Sequence, residues 1–148
     1  MKSVFDKTTR DELIQRIQAL DESSTAQWGE MTLFQMLRHC TLWQEWVLGK
    51  TTYKQQFLGR LLGKMALKGA MKEENAMPRN ASTYPAFKVK ETTGDIPSEK
   101  RKWISLLEEC ARFSNPNFVH TFFGKMTEEQ IGYFAYKHTD HHLRQFGG

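Results

Sequence analysis

Large apolar residues recur at three- and four-residue intervals in four stretches of the chain, the period of a helix with one buried face. Leu13, Ile14, Ile17 and Leu20 mark the first. Thr9-x-x-Glu12 precedes them as a capping box, so a helix is expected from about Arg10 to Asp21, behind a frayed lead-in in which Val4 and Phe5 are able to pack. Leu33, Met36, Leu37, Cys40, Trp43 and Val47 mark the second; Thr32 and Gln35 form its box, and Gly49 stops it near Leu48. Trp103, Ile104, Leu106, Leu107, Cys110 and Phe113 mark another, starting near Ser98 behind Pro97 and ended by Asn115-Pro116-Asn117. The last runs from about Met126 to Phe146. Thr127-Glu128-Glu129-Gln130 opens it, Ile131, Phe134, Ala135 and His138 share a face, and Gly147 is its stop. The pattern predicts an all-α fold.

The middle of the chain is less regular. Thr51 to Met71 reads as an amphipathic helix with Phe57, Leu58, Leu61, Leu62, Met65 and Leu67. Gly59, Gly63 and Gly69 interrupt it, each weakening the helix by up to ~1 kcal/mol relative to alanine. Arg60, Lys64, Lys68 and Lys72 form an i, i+4 row. With no aromatic residue interleaved, a solvated face is the expectation; a surface for anionic ligands, nucleic acid or lipid is the functional alternative. Lys72 to Pro97 holds Pro78, Pro85 and Pro97 and predicts no long element. A connection of this length is often functional. Pro78, Tyr84, Pro85 and Phe87 are its candidate anchors over the open end of a pocket, Trp28 is expected to fold inward, and Phe118 to Lys125 is expected as a loop.

Composition narrows the class. The chain of 148 residues, 39% hydrophobic and 26% charged, is expected to form one domain with its own core. A formal charge of +4 without a concentrated basic face gives no strong nucleic-acid signal. Met1 to Glu12 lacks an apolar signal core, and no apolar run approaches the ~20 residues needed to span a bilayer. A cytoplasmic protein without a membrane partner is the default expectation. Cys40 and Cys110 make no metal-binding pair and are expected as buried free thiols.

Chemistry concentrates in Tyr136-Lys137-His138-Thr139-Asp140-His141-His142, which carries three of the five histidines. On a helix His138 and His142 lie one turn apart and reach one point. The spacing is that of a zinc-protease helix, but Thr139 stands where its general-base glutamate belongs, so that activity is excluded. A third ligand must come from elsewhere. His39 lies about 10 Å from the start of its helix, and the midpoint of His138 and His142 about 9 Å from the end of theirs. Antiparallel packing would bring the three level. Three imidazoles suit zinc, nickel, iron or manganese without selecting among them; zinc or nickel is the first expectation, and three protein ligands leave a position open.

Trp28-Gly29-Glu30-Met31-Thr32, Gln35-Met36-Leu37, His39, His120 with Phe122-Phe123-Gly124, Tyr136, and His138 through Gly147 together resemble the DUF1569 group of the DinB/YfiT-like superfamily, over about Thr9 to Gly147. The resemblance implies a four-helix bundle in up-down-down-up order, here with an extra helix and a long crossover between the second and third bundle helices. It also implies a divalent metal held by one histidine on the second helix and an H-x-x-x-H pair on the fourth. The group itself has no known function; relatives in the superfamily include thiol transferases and thiol-dependent isomerases. The expectation is a metal-dependent hydrolase or thiol transferase/isomerase acting on a small molecule, against a non-catalytic metal-binding or interaction bundle. His120, Gln145 and His141 are the candidate catalytic residues: His120 as acid/base or fourth ligand, Gln145 as a hydrogen-bonding partner of water or substrate, His141 as an alternate ligand or supporting residue. A homodimer through exposed apolar faces is a further expectation.

Overall fold

The computed structural model describes residues 1–73 and 75–148; Glu74, inside the irregular middle stretch, lies outside the described residues. Among them are five α-helices: α1 Lys7–Ala19, α2 Leu33–Val47, α3 Phe57–Ala70, α4 Ile96–Glu109 and α5 Glu128–Gln145. Single 3-10 turns occupy Pro85–Phe87 and Cys110–Arg112, and an antiparallel hairpin pairs β1 (Val119–His120) with β2 (Gly124–Lys125). α2 packs against α4 and α5, and α1 against the same two helices. Leu13, Ile17, Met36, Leu37, Val47, Trp103, Leu107 and Leu143 are fully enclosed between them. These inward faces are the ones the apolar periodicity marks.

Local chemistry sets the helix ends. Two of the three expected capping boxes form, Thr32 with Gln35 and Thr127 with Gln130. Gly49 and Gly147 take φ of +78° and +80°, the left-handed conformation that closes a helix. The pairs of hydrogen bonds Lys50 N to Glu45 O with Gly49 N to Trp46 O, and Gly148 N to Leu143 O with Gly147 N to Arg144 O, satisfy the terminal carbonyls.

Four expectations need correction. The first helix starts earlier, at Lys7, because Asp6 accepts from the Thr9 amide at 2.8 Å and takes the cap expected of Thr9. The lead-in is ordered too: Val4 is buried, its amide donates to Gly132 O, and Phe5 stacks on Phe113. α4 starts at Ile96, capped by Asp95, with Pro97 in its first turn, where a missing N–H costs nothing. Phe118 to Lys125 contains the hairpin, not only a loop.

α3 is turned opposite to an ordinary amphipathic helix. Gly59, Gly63 and Leu67 face inward, while Phe57, Leu58, Leu61, Leu62 and Met65 face out. A Cβ on Gly59 or Gly63 would lie 2.3 or 2.2 Å from the carbonyl oxygen of Phe122. The two glycines, one turn apart, thus let the helix backbone sit directly on the hairpin turn.

Candidate metal centre

α2 and α5 bring His39, His138 and His142 to one place. All three are buried, and one ring nitrogen from each lies within 4.8 Å of the others. The Nε2 atoms of His39 and His138 are 3.1 Å apart.

Their outer nitrogens are tied back. His39 Nδ1 lies 3.0 Å from the carbonyl oxygen of Phe87, an atom that can only accept, so Nδ1 carries the proton. Gln145 Nε2 donates to Trp28 O at 2.9 Å, which turns Gln145 Oε1 towards His142. His142 Nδ1 therefore donates to that oxygen, at 2.9 Å. Both imidazoles are left with an unprotonated Nε2. The indole of Trp43 stacks on His138 with centroids 4.3 Å apart and fixes that ring's plane.

Burial keeps the cluster neutral. It pushes the pKa of His142 down to about 3 and that of His138 well below the ordinary value, with the neighbouring imidazoles adding to the effect; His39 is lowered by the same cause. Neutral imidazole is the form that ligates a metal.

The separation of one donor pair suits a divalent ion. Two nitrogens each about 2.0–2.1 Å from one ion lie about 2.9 Å apart at a right angle and about 3.3 Å apart at the tetrahedral angle. The 3.1 Å between His39 and His138 falls in that interval. Hydrogen bonds from the far ring nitrogens to a carbonyl and an amide oxygen are the usual support of ligating histidines.

A family described as a protein of unknown function, DUF1569, matches residues 2–147. The chain belongs to the DUF1569 family. No curated protein and no solved structure matches it.

The structure of this DUF1569 chain places the remaining candidates around the cluster in different ways. Gln145 orients His142 through the bond to its Nδ1. His141 is half-buried, meets Trp28 edge-on, and lines a cavity of about 420 Å³ with Tyr133, Tyr136, Lys137 and Asp140. His120 is outside the three-histidine group. Its Nδ1 accepts from the amides of Phe122 and Phe123, its ring stacks on Phe123 at 4.4 Å, and burial pushes its pKa down to about 3. It shapes the turn that carries α3.

Three supports had no signal in the sequence or only an indirect one. The Phe87 carbonyl had none, because a backbone acceptor leaves no mark on residue type; Phe87 itself is buried, as expected of an anchor, while Pro78 and Pro85 are exposed. Trp43 was legible only as a core residue. Trp28 was expected to fold inward and is half-buried, but its role beside Gln145 was legible only as the Trp28-Gly29 motif. Gly29 takes φ +78°, and a Cβ there would lie 2.9 Å from Gln145 Nε2, so the glycine lets this turn approach Gln145. Arg79 lies over the Trp28 ring, 4.2 Å from its centroid.

Proposed function

We propose that this chain is a divalent-metal-dependent enzyme acting on a small molecule, with His39, His138 and His142 as the protein ligands and zinc or nickel ahead of iron or manganese. The observation that carries the reading is the convergence of three neutral imidazoles, two of them with Nδ1 tied to protein acceptors. A divalent ion held there would supply Lewis acidity, and a coordination position not filled by protein would take an oxygen or sulfur of a small molecule.

Among the described residues no carboxylate joins the cluster. Asp140, the nearest in sequence, pairs with Arg16 at 2.8 Å and Arg144 at 2.9 Å. A water would lack a positioned carboxylate base, whereas a thiol is acidic enough to ionise with less help. This favours transfer or isomerisation involving a substrate thiol. The chain's own cysteines do not supply it: both are buried, and burial pushes Cys110 up to about 12 and Cys40 well above the ordinary thiol value. Hydrolysis is the second reading, with His141, whose ring packs edge-on against His142 and which lines the 420 Å³ cavity, as its candidate base.

The helix packing supports a four-helix bundle of α1, α2, α4 and α5 in up-down-down-up order, with the stretch from Gly49 to Asp95 as the crossover between parallel α2 and α4.

Elemental analysis of protein purified without nickel resin tests the metal. About one ion per chain is expected, lost in His39→Ala and His138→Ala. A folded, metal-free protein whose stability does not change on adding zinc, nickel or manganese would overturn the reading. Metal binding without turnover of any thiol acceptor, ester or amide would leave a non-catalytic metal-binding bundle in its place.

A further inference from the structure

The outward face of α3 carries five of the six exposed large hydrophobic residues among those described. Phe57, Leu58, Leu61, Leu62 and Met65 are 76%, 55%, 67%, 42% and 71% exposed, and Met1 is the only other large hydrophobic residue as exposed among those described. Their positions span about 140° of the helix circumference. Contiguous apolar surface of this kind marks a docking site more often than an accident of folding. The helix cannot roll to hide it, because Gly59 and Gly63 lie flat on the Phe122 backbone. Lys137 of α5 also donates to the carbonyls of Ala70 and Lys72 at the other end.

Charge selects the occupant. From Trp46 to Lys72 there is no aspartate or glutamate, but there are Lys50, Lys54, Arg60, Lys64, Lys68 and Lys72. Arg60, Lys64 and Lys68 run along one border of the apolar face, all exposed. On that border Lys64, Lys68 and Lys125 line an open cleft of about 510 Å³ with Thr127 and Gln130. Lys50 is paired with Glu109 at 2.8 Å, but Arg60, Lys64 and Lys68 lie exposed along the apolar face and fit an anionic partner. A second copy fits poorly: a two-fold antiparallel pairing of α3 keeps both basic borders on the same side, and a parallel pairing offers no carboxylate on the opposite border. The apolar side chains carry no polar group to define a protein pocket, whereas a lipid surface offers apolar depth beside phosphate without a fixed shape. A 14-residue helix is about 21 Å long and cannot cross a bilayer core of about 30 Å, so it would lie in the plane of the interface.

We propose that α3 is an in-plane anchor for anionic membrane surfaces, with Phe57, Leu58, Leu61, Leu62 and Met65 entering the acyl boundary and Arg60, Lys64 and Lys68 lying at the lipid phosphates. This does not depend on the metal centre.

Flotation of the full chain with two vesicle types tests it: phosphatidylcholine with phosphatidylserine, and phosphatidylcholine alone. Binding to the first, weakened by salt and about tenfold or more weaker to the second, is expected. L61S/M65S and R60E/K68E change only exposed side chains and should each weaken binding by about tenfold or more at an unchanged thermal midpoint. Absence of binding to the anionic vesicles overturns the proposal. So does binding that L61S/M65S leaves intact, or a concentration-dependent dimer that the same substitution dissociates.

Discussion

Gln145 fixes which nitrogen of His142 carries the proton, because its amide nitrogen is already committed to the carbonyl of Trp28 and only its oxygen is left, 2.9 Å from His142 Nδ1. One side chain thus joins the Trp28 turn to a histidine of the buried three-histidine cluster. Gln145→Ala should lower affinity for zinc by about 10- to 100-fold, the usual cost of losing such a support. Competition with a chromophoric chelator measures it. The orphaned Trp28 carbonyl should also cost about 1–3 kcal/mol in urea denaturation.

The pH dependence of stability should carry a clear mark of His120. Its native pKa of about 3 lies below the ordinary 6.5, so between these values the unfolded chain binds the proton and the native chain does not. Stability is therefore full above about pH 6.5 and lost as pH falls through that interval. Protonating Nδ1 would also remove the acceptor for the Phe122 and Phe123 amides. At pH 5 the loss approaches about 2 kcal/mol; the partly exposed ring edge lets water reduce it. Urea midpoints in the presence of a chelator, at pH 7 and pH 5, should differ less in His120→Gln than in the parent.

Alanine substitution should separate the glycines of α3 by sign. A Cβ on Gly69 would meet nothing within 4 Å, so Gly69→Ala should stabilise by about 0.5–1 kcal/mol through helix propensity. Gly59→Ala and Gly63→Ala would press a methyl group onto the Phe122 carbonyl and should each destabilise by about 1–3 kcal/mol. Thermal midpoints decide this, and equal effects at all three sites would contradict the packing described.

The native protein should be inert to a thiol-specific colorimetric reagent at neutral pH. Cys40 and Cys110 are buried and their thiols are held protonated. Two equivalents should react once the chain is unfolded. Rapid reaction in the native state would reopen a nucleophilic role for one of them.

Features legible in the sequence are those whose partners are close along the chain. The Thr32 and Thr127 caps and the His138–His142 pair depend on residues three or four apart, and periodicity shows them directly. His39 was reachable because two helix-end distances agreed. Competition within a short range already blurs such signals: Asp6 displaced Thr9 as a cap although both types are suited to it. What escaped reading depends on backbone atoms far away in sequence. Gly59 and Gly63 read as weaknesses in a helix because nothing in their neighbourhood announces the Phe122 carbonyl. The β1–β2 hairpin has two-residue strands, too short to show alternation.

His39 and His138 stand 99 positions apart yet meet nitrogen to nitrogen. An ion shared between them would act as a removable cross-link, tying off a loop that contains α3, α4 and the hairpin. By closing so long a loop it would restrict the unfolded chain as well as bind the folded one. Loading and stripping the centre would then change how cooperatively the whole molecule comes apart, so that chelation could expose intermediates in which α3 and the hairpin have separated from the other helices.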